Sequence, residues 1–170
     1  KIKSTLKKDQ IADLEALADA IKDSMSKPEA SAVSDALVNP NALFKFSYGL
    51  FVLSSVDGDK HNGCIINTGI QLTDNPKRIA IAVNKANYTH DMIMNSRKFN
   101  LSILDETAPF DLFKQFGFQS GRNTEKYDGK YQIRLSENGV VYLSQYSNAF
   151  ISGKVVDVQD YGTHSLFVVT

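Results

Sequence analysis

Tryptophan is absent from these 170 residues, cysteine occurs once, at Cys64, and proline only four times. A single cysteine excludes an internal disulfide framework and a cysteine metal cluster, so a reducing compartment, the cytoplasm, is the expectation. Excess charge is also missing. Nineteen basic and nineteen acidic residues cancel, which removes the electrostatic footprint of a nucleic-acid or anionic-membrane binder. No apolar run approaches the ~20 residues of a membrane-spanning helix, and no signal-peptide pattern opens the chain. Neither nucleic acid nor membrane is expected as a partner. The chain also lacks GxSxG, HExxH, a P-loop and a GxGxxG after a strand. Its three histidines, His61, His90 and His164, have no cysteine or acidic partners at ligand spacing, so no metal site is expected. Lys1 is not an initiator methionine, which points to a segment of a longer chain.

What is present is an ordinary globular composition, 42% hydrophobic and 22% charged, long enough for one domain with an appendage. Residues 9–25, "DQIADLEALADAIKDSM", place Ile11, Leu14, Leu17, Ala18, Ile21 and Met25 on one helical face, with Asp9 to cap the start. "SKPEASAVSD" then reads as a linker broken by Pro28. From Leu43 onward the pattern is β-rich. "YGLFVLSS" leads into a turn, "VDGDKHNG", with Asp57-Gly58 as the hairpin signal. "CIINTGIQLT", "KRIAIAV", "FNLSIL", "GVVYLSQY", "ISGKVVDVQD" and "HSLFVVT" read as further strands, "THDMIMNS" and "APFDLFKQF" as short helices. Many short strands with hairpin punctuation predict an antiparallel barrel rather than a βαβ sheet.

Two stretches carry candidate chemistry. In "VNKANYTHDMI" an apolar strand stops at Asn84 and Lys85, and Thr89 and His90 stand at the head of a helix. Helix N-termini present free N–H groups that suit a phosphate; Lys85 adds a charge and Thr89 a hydroxyl. Taken alone, the junction reads more simply as a helix cap. In "CIINTGIQLT", however, Asn67, Thr68, Gln71 and Thr73 interrupt an apolar strand, as side chains facing a flat heterocycle would. A polar strand followed by a phosphate-type junction describes a nucleotide-like ligand.

These stretches, with "FNLSILDE" and "FGFQSGRNTEKYDG", make the chain from about Asn41 onward resemble the flavin reductase-like FMN-binding domains. The likeness is greatest to the flavoredoxin type and to reductase domains fused to rubredoxin or flavodiiron modules. The resemblance implies a mainly β, antiparallel Greek-key split barrel over residues 41–170, a homodimer, and FMN near the subunit interface. It puts the isoalloxazine along Ile66, Asn67, Thr68, Gln71, Leu72 and Thr73, and the phosphate on Lys85, Asn87, Tyr88 and Thr89, with His90 nearby. Ser120, Gly121 and Arg122 match a loop near the active site; for Arg122 a surface ion pair is an equal reading. His164 matches a histidine near the nicotinamide in pyridine-nucleotide-dependent relatives, though a structural role suits it as well. No side chain is assigned as catalytic. The implied activity passes electrons from NADH or NADPH through FMN to a flavin, a rubredoxin or a fused redox centre. The alternatives are an FMN relay without its own NAD(P)H site, and an interaction module that has lost flavin. The family continues past the "HSLFVV" strand, so truncation at the C-terminus is expected. Residues 1–40 look like the end of a preceding flavodoxin-like domain.

Overall fold

A computed structural model describes residues 41–170 together with Ala16, Asp19 and Asn39. The helix expected over 9–25 and the linker after it lie outside the described residues, apart from Ala16 and Asp19, which are both helical. The chain divides into two units, Lys1–Ser47 and Tyr48–Thr170. In the first, Leu43–Lys45 makes one 3-10 turn, closed by the Phe46 amide donating to the Leu43 carbonyl at 3.3 Å.

The second unit contains nine strands and two helices. In chain order these are β1 (Phe51–Asp57), β2 (Lys60–Ile66), β3 (Gly69–Thr73), β4 (Arg78–Asn84), α1 (Tyr88–Ser96), β5 (Lys98–Leu104) and α2 (Phe110–Gly117), then β6 (Ile133–Leu135), β7 (Val141–Leu143), β8 (Ser147–Tyr161) and β9 (His164–Val169). Seven strands form one sheet in the order β2-β1-β5-β8-β9-β4-β3, and β6 pairs with β7 in a separate ribbon. Every pairing is antiparallel. The expected mainly β split barrel is what forms.

β1 is apolar on both faces because both are covered. Phe51 and Leu53 enter a core with Ile81, Phe99, Leu101 and Phe167. Val52 points the other way, against Leu112 and Phe116 of α2 and Leu143 of β7. Burying a large apolar side chain stabilises a fold by about 1.5–3 kcal/mol, so this two-sided strand anchors both layers.

Three local readings need correction. The turn after β1 is only Gly58-Asp59, with Gly58 at φ 58°; pairing resumes at Asp57↔Lys60, so His61, Asn62 and Gly63 belong to β2. "CIINTGIQLT" is two strands broken at Asn67-Thr68, not one. "GVVYLSQY" supplies only the three residues of β7, and its partner β6 falls in a stretch with no alternating pattern long enough to read.

Candidate functional site

The antiparallel pairing of Gly69 with Ile81 runs β3 against β4, so the start of β3 lies at the end where β4 leaves for α1. β9 starts at that same end, with His164 opposite Asn84 and the Lys85 amide donating to the Thr163 carbonyl at 2.9 Å. Sheet register alone therefore gathers Asn67, Thr68, the 84–90 junction and His164. Gln71, Leu72 and Thr73 run away from it. At ~3.3 Å per residue, Thr73 is roughly 16 Å farther along the strand than Thr68. Gln71 and Thr73 instead line a mainly apolar cleft of about 550 Å³ with Phe51, Leu101, Ile103 and Ile151.

The turn into α1 is built by Asn84, whose Oδ1 accepts from the Ala86 amide at 2.9 Å and whose carbonyl accepts from the Asn87 amide at 3.0 Å. Asn87 is the N-cap residue, yet its side chain makes no cap bond. The Asn87 carbonyl takes the His90 amide at 2.9 Å. Among the described residues nothing accepts from the amides of Tyr88 and Thr89. Two N–H groups at a helix N-terminus, carrying its partial positive charge, are thus left unpaired. Lys85, in the turn before α1, has its Nζ 2.5 Å from Asp160 Oδ1; that bond holds the Asp160 carboxyl below the usual carboxylate range.

Thr89 itself is fully buried, and its Oγ1 accepts from Asn62 Nδ2 at 2.9 Å. Its hydroxyl is thus engaged inside the protein, and its amide is buried without an acceptor. Asn62 also carries the loop after α2. A Cβ on Gly121 would fall 1.8 Å from Asn62 Oδ1, so only glycine lets this loop sit down on β2. Next along, Arg122 Nη2 donates to Asp91 Oδ2 at 2.5 Å, and its guanidinium lies 4.7 Å from the centre of the Tyr88 ring. Lys60 Nζ lies 4.9 Å from the same ring. Burial works against ionisation of Asp91, but bonds from Arg122 and His90 outweigh it and hold its carboxyl low. Ser120 Oγ accepts from the Arg122 amide at 3.2 Å and so shapes the loop.

His90 points inward, with Nε2 2.9 Å from Ser165 Oγ and its ring edge-on to Phe167. His164 bonds the neighbouring Thr163 hydroxyl at 2.9 Å, and burial pulls its pKa down. Beneath α1, burial pushes the Cys64 thiol up to about 11, against bonds from Thr89 and Asn87. Lys126 is also buried there, its ammonium donating to the carbonyls of Gln115 and Gln119, and desolvation lowers its pKa to about 8.

The sequence-predicted residues Asn67, Thr68, Lys85, Asn87, Tyr88, Thr89, Gly121, Arg122 and His164 thus lie around one end of the sheet. Asn62, Lys60, Asp91 and Asp160 complete the surroundings and were not anticipated. Lys60 and Asn62 were hidden inside an assumed turn, although Lys60, Asn62 and Cys64 alternate as a strand would. Among the described residues no cluster of His, Cys, Asp or Glu could hold a metal, and no helix is long and apolar enough to cross a membrane.

The donors gathered at this end of the sheet, unpaired helix amides, a lysine in the turn before them and polar strand-end side chains, are of the kind that suits a phosphorylated, planar ligand. The chain is 38% identical over 133 residues to a high molecular weight rubredoxin from Moorella thermoacetica, covering 78% of this chain and 58% of that protein. A ferric-chelate reductase (NAD(P)H) from Archaeoglobus fulgidus is 39% identical over 127 residues, 75% of each chain. The crystal structure of an FMN-binding protein from Thermus thermophilus superposes with a TM-score of 0.68 at 21% identity, over 85% of this chain and 78% of that one. Residues 43–170 match the model of the flavin reductase like domain, and the chain belongs to that family.

Proposed function

We propose that this chain is an FMN-binding oxidoreductase domain that takes electrons from NADH or NADPH and passes them to a flavin, a rubredoxin or a fused redox centre. The observation that carries this reading is the α1 N-terminus, where the Tyr88 and Thr89 amides have no acceptor and Lys85 precedes them in the turn, in a chain of this family. When bound, FMN supplies the redox chemistry. The protein's part is to hold it. The unpaired amides and Lys85 would take the phosphate, and Asn67 and Thr68 the polar edge of the ring. Arg122, pinned by Asp91, and Tyr88 would shape the approach of the donor, with His164 beside it. A homodimer belongs to the same proposal. Ferric-chelate reduction with NAD(P)H is the named activity of one relative and supports the reductase reading. The other named relative, a rubredoxin of which this chain spans 58%, favours a second reading, a relay fed by a neighbouring module.

Titration of the protein with FMN, followed by anaerobic mixing with NADH and NADPH, tests both. Saturable flavin binding is expected, weakened about tenfold or more by Lys85→Ala, since a charge-assisted hydrogen bond contributes about 1.5–3 kcal/mol. Bleaching of the bound flavin by either nucleotide marks the reductase. Reduction by dithionite alone marks the relay, and failure to bind FMN at all ends the proposal.

A further inference from the structure

Lys85 meets its carboxylate across a strand. β9 lies between β4 and β8 in the sheet, and its first residues pair His164 with Asn84 on one side and Ser165 with Asp160 on the other. Residues opposite one another in an antiparallel pair point to the same face. The Ser165 hydroxyl lies 2.9 Å from His90 Nε2 of α1, so Asp160 stands on the face where α1 lies. The Lys85 ammonium, 2.5 Å from Asp160 Oδ1, therefore reaches over the start of β9 to that same face.

Both partners are moored by backbone. The Lys85 amide donates to the Thr163 carbonyl at 2.9 Å. Asp160 Oδ1 also accepts from the Gly162 amide at 2.8 Å, in a turn that Gly162 makes at φ 76°. Bonds from Lys85 and from that amide hold the Asp160 carboxyl below the usual range, so it is ionised at neutral pH. The Gly162 bond does not depend on the lysine, and the carboxylate stays in place when the lysine turns to another anion. Arg122, the other cation fixed against α1, is likewise occupied, 2.5 Å from Asp91 Oδ2. An incoming phosphate thus meets a Lys85 that is already neutralised, and must draw its ammonium from Asp160 or share it. An ammonium contacted from both sides keeps the two oxygens about 5 Å apart, where a carboxylate and a phosphate dianion repel. The two side chains are 35% and 70% exposed, and water and salt reduce the effect to about threefold to tenfold in affinity.

We propose, on the reading that Lys85 takes the FMN phosphate, that Asp160 is an internal competitor for that lysine: the ion pair opens as FMN binds and re-forms as it leaves, so FMN is an exchangeable ligand rather than a permanently held group. Asp160 sets affinity through Lys85 and is not a catalytic residue.

Asp160→Asn removes the charge but keeps an oxygen to accept from Gly162, and an exposed ion pair adds little to stability, so thermal unfolding is expected to match wild type closely. FMN and riboflavin, which lacks the phosphate, are titrated into both proteins at fixed low ionic strength. The variant is expected to bind FMN about threefold to tenfold more tightly and to release it correspondingly more slowly, with riboflavin affinity the same in both. Raising the salt concentration should shrink the gain, and wild type should lose its FMN on dialysis. FMN affinity that is unchanged or weaker in the variant overturns the proposal, as does equal tightening of riboflavin or wild type that keeps FMN through dialysis. Each of those results leaves FMN binding itself standing. Failure of both proteins to bind either flavin removes the FMN reading, and the role of Asp160 with it.

Discussion

Asn62 does the most with the least surface. It is almost wholly buried on β2, its Nδ2 donating to Thr89 Oγ1 and its Oδ1 covered by the backbone of Gly121. That one amide fixes the α1 N-terminus and the 118–123 loop relative to the same strand. Asn62 Oδ1 has no hydrogen-bond partner, so the side chain already carries an unfavourable contribution, and the Thr89 bond has to outweigh it. Thr89→Val keeps the volume while removing the acceptor, and Asn62→Ala removes the donor. Each is expected to cost about 1–2 kcal/mol, read as a shift in the urea midpoint. The two together should cost little more than either alone, since they break one bond. Single variants that unfold with wild type would show the bond to be incidental.

At the level of elements, α2 and the segment after it are closed by a reciprocal clip. Gln115 Nε2 donates to the Lys126 carbonyl at 2.7 Å, while the Lys126 ammonium reaches back to the Gln115 and Gln119 carbonyls. Desolvation lowers the Lys126 pKa from 10.5 to about 8. Between those values the unfolded chain binds the proton and the folded chain does not, so this group makes stability rise with pH across that window. Cys64, raised from 9.0 to about 11, opposes it above pH 9, so the clean observable is a difference. Relative to Lys126→Met, wild type should gain stability steadily from pH 8 to 10.5 in parallel denaturation curves. Curves that stay a constant distance apart would mean that Lys126 titrates normally. The same scale shows what could be read from sequence. The 84–90 junction was legible because its parts are neighbours in the chain: an apolar run, an Asn-built turn, then a helix. β4, β5 and β9 were legible as apolar runs. The 118–127 loop was recognisable as a motif, but its seat was not. Asn62 meets Thr89 across 27 residues and Arg122 meets Asp91 across 31. Such pairings are set by which strands become neighbours, and local pattern carries no trace of that.

At the scale of the whole barrel, β8 decides whether the sheet is continuous. Its first half pairs with β5 and its second with β9, with a register shift at 155–157 where it changes partner. A strand serving two neighbours in sequence must bend, and at the bend Gly153 lets three strands approach. A Cβ there would lie 2.6 Å from Val169 Cγ1 and 3.1 Å from Phe99 Cζ. Phe99 and Val169 are both buried in the main core, and the branched valine cannot swing aside in a strand. Gly153→Ala is therefore expected to cost about 1–3 kcal/mol through overpacking. Val169→Ala leaves a small cavity and is expected to be destabilising by itself, by about 1–3 kcal/mol. In the double variant the new methyl occupies space that the valine vacates. Its measured destabilisation should fall below the sum of the two singles by about 1 kcal/mol or more. Strict additivity would mean that the sheet takes up the extra methyl by moving backbone, and that Gly153 is there for the bend alone. A shortfall would mean that close packing of β5, β8 and β9 holds the bend, and with it the register that places His164 opposite Asn84 at the candidate site.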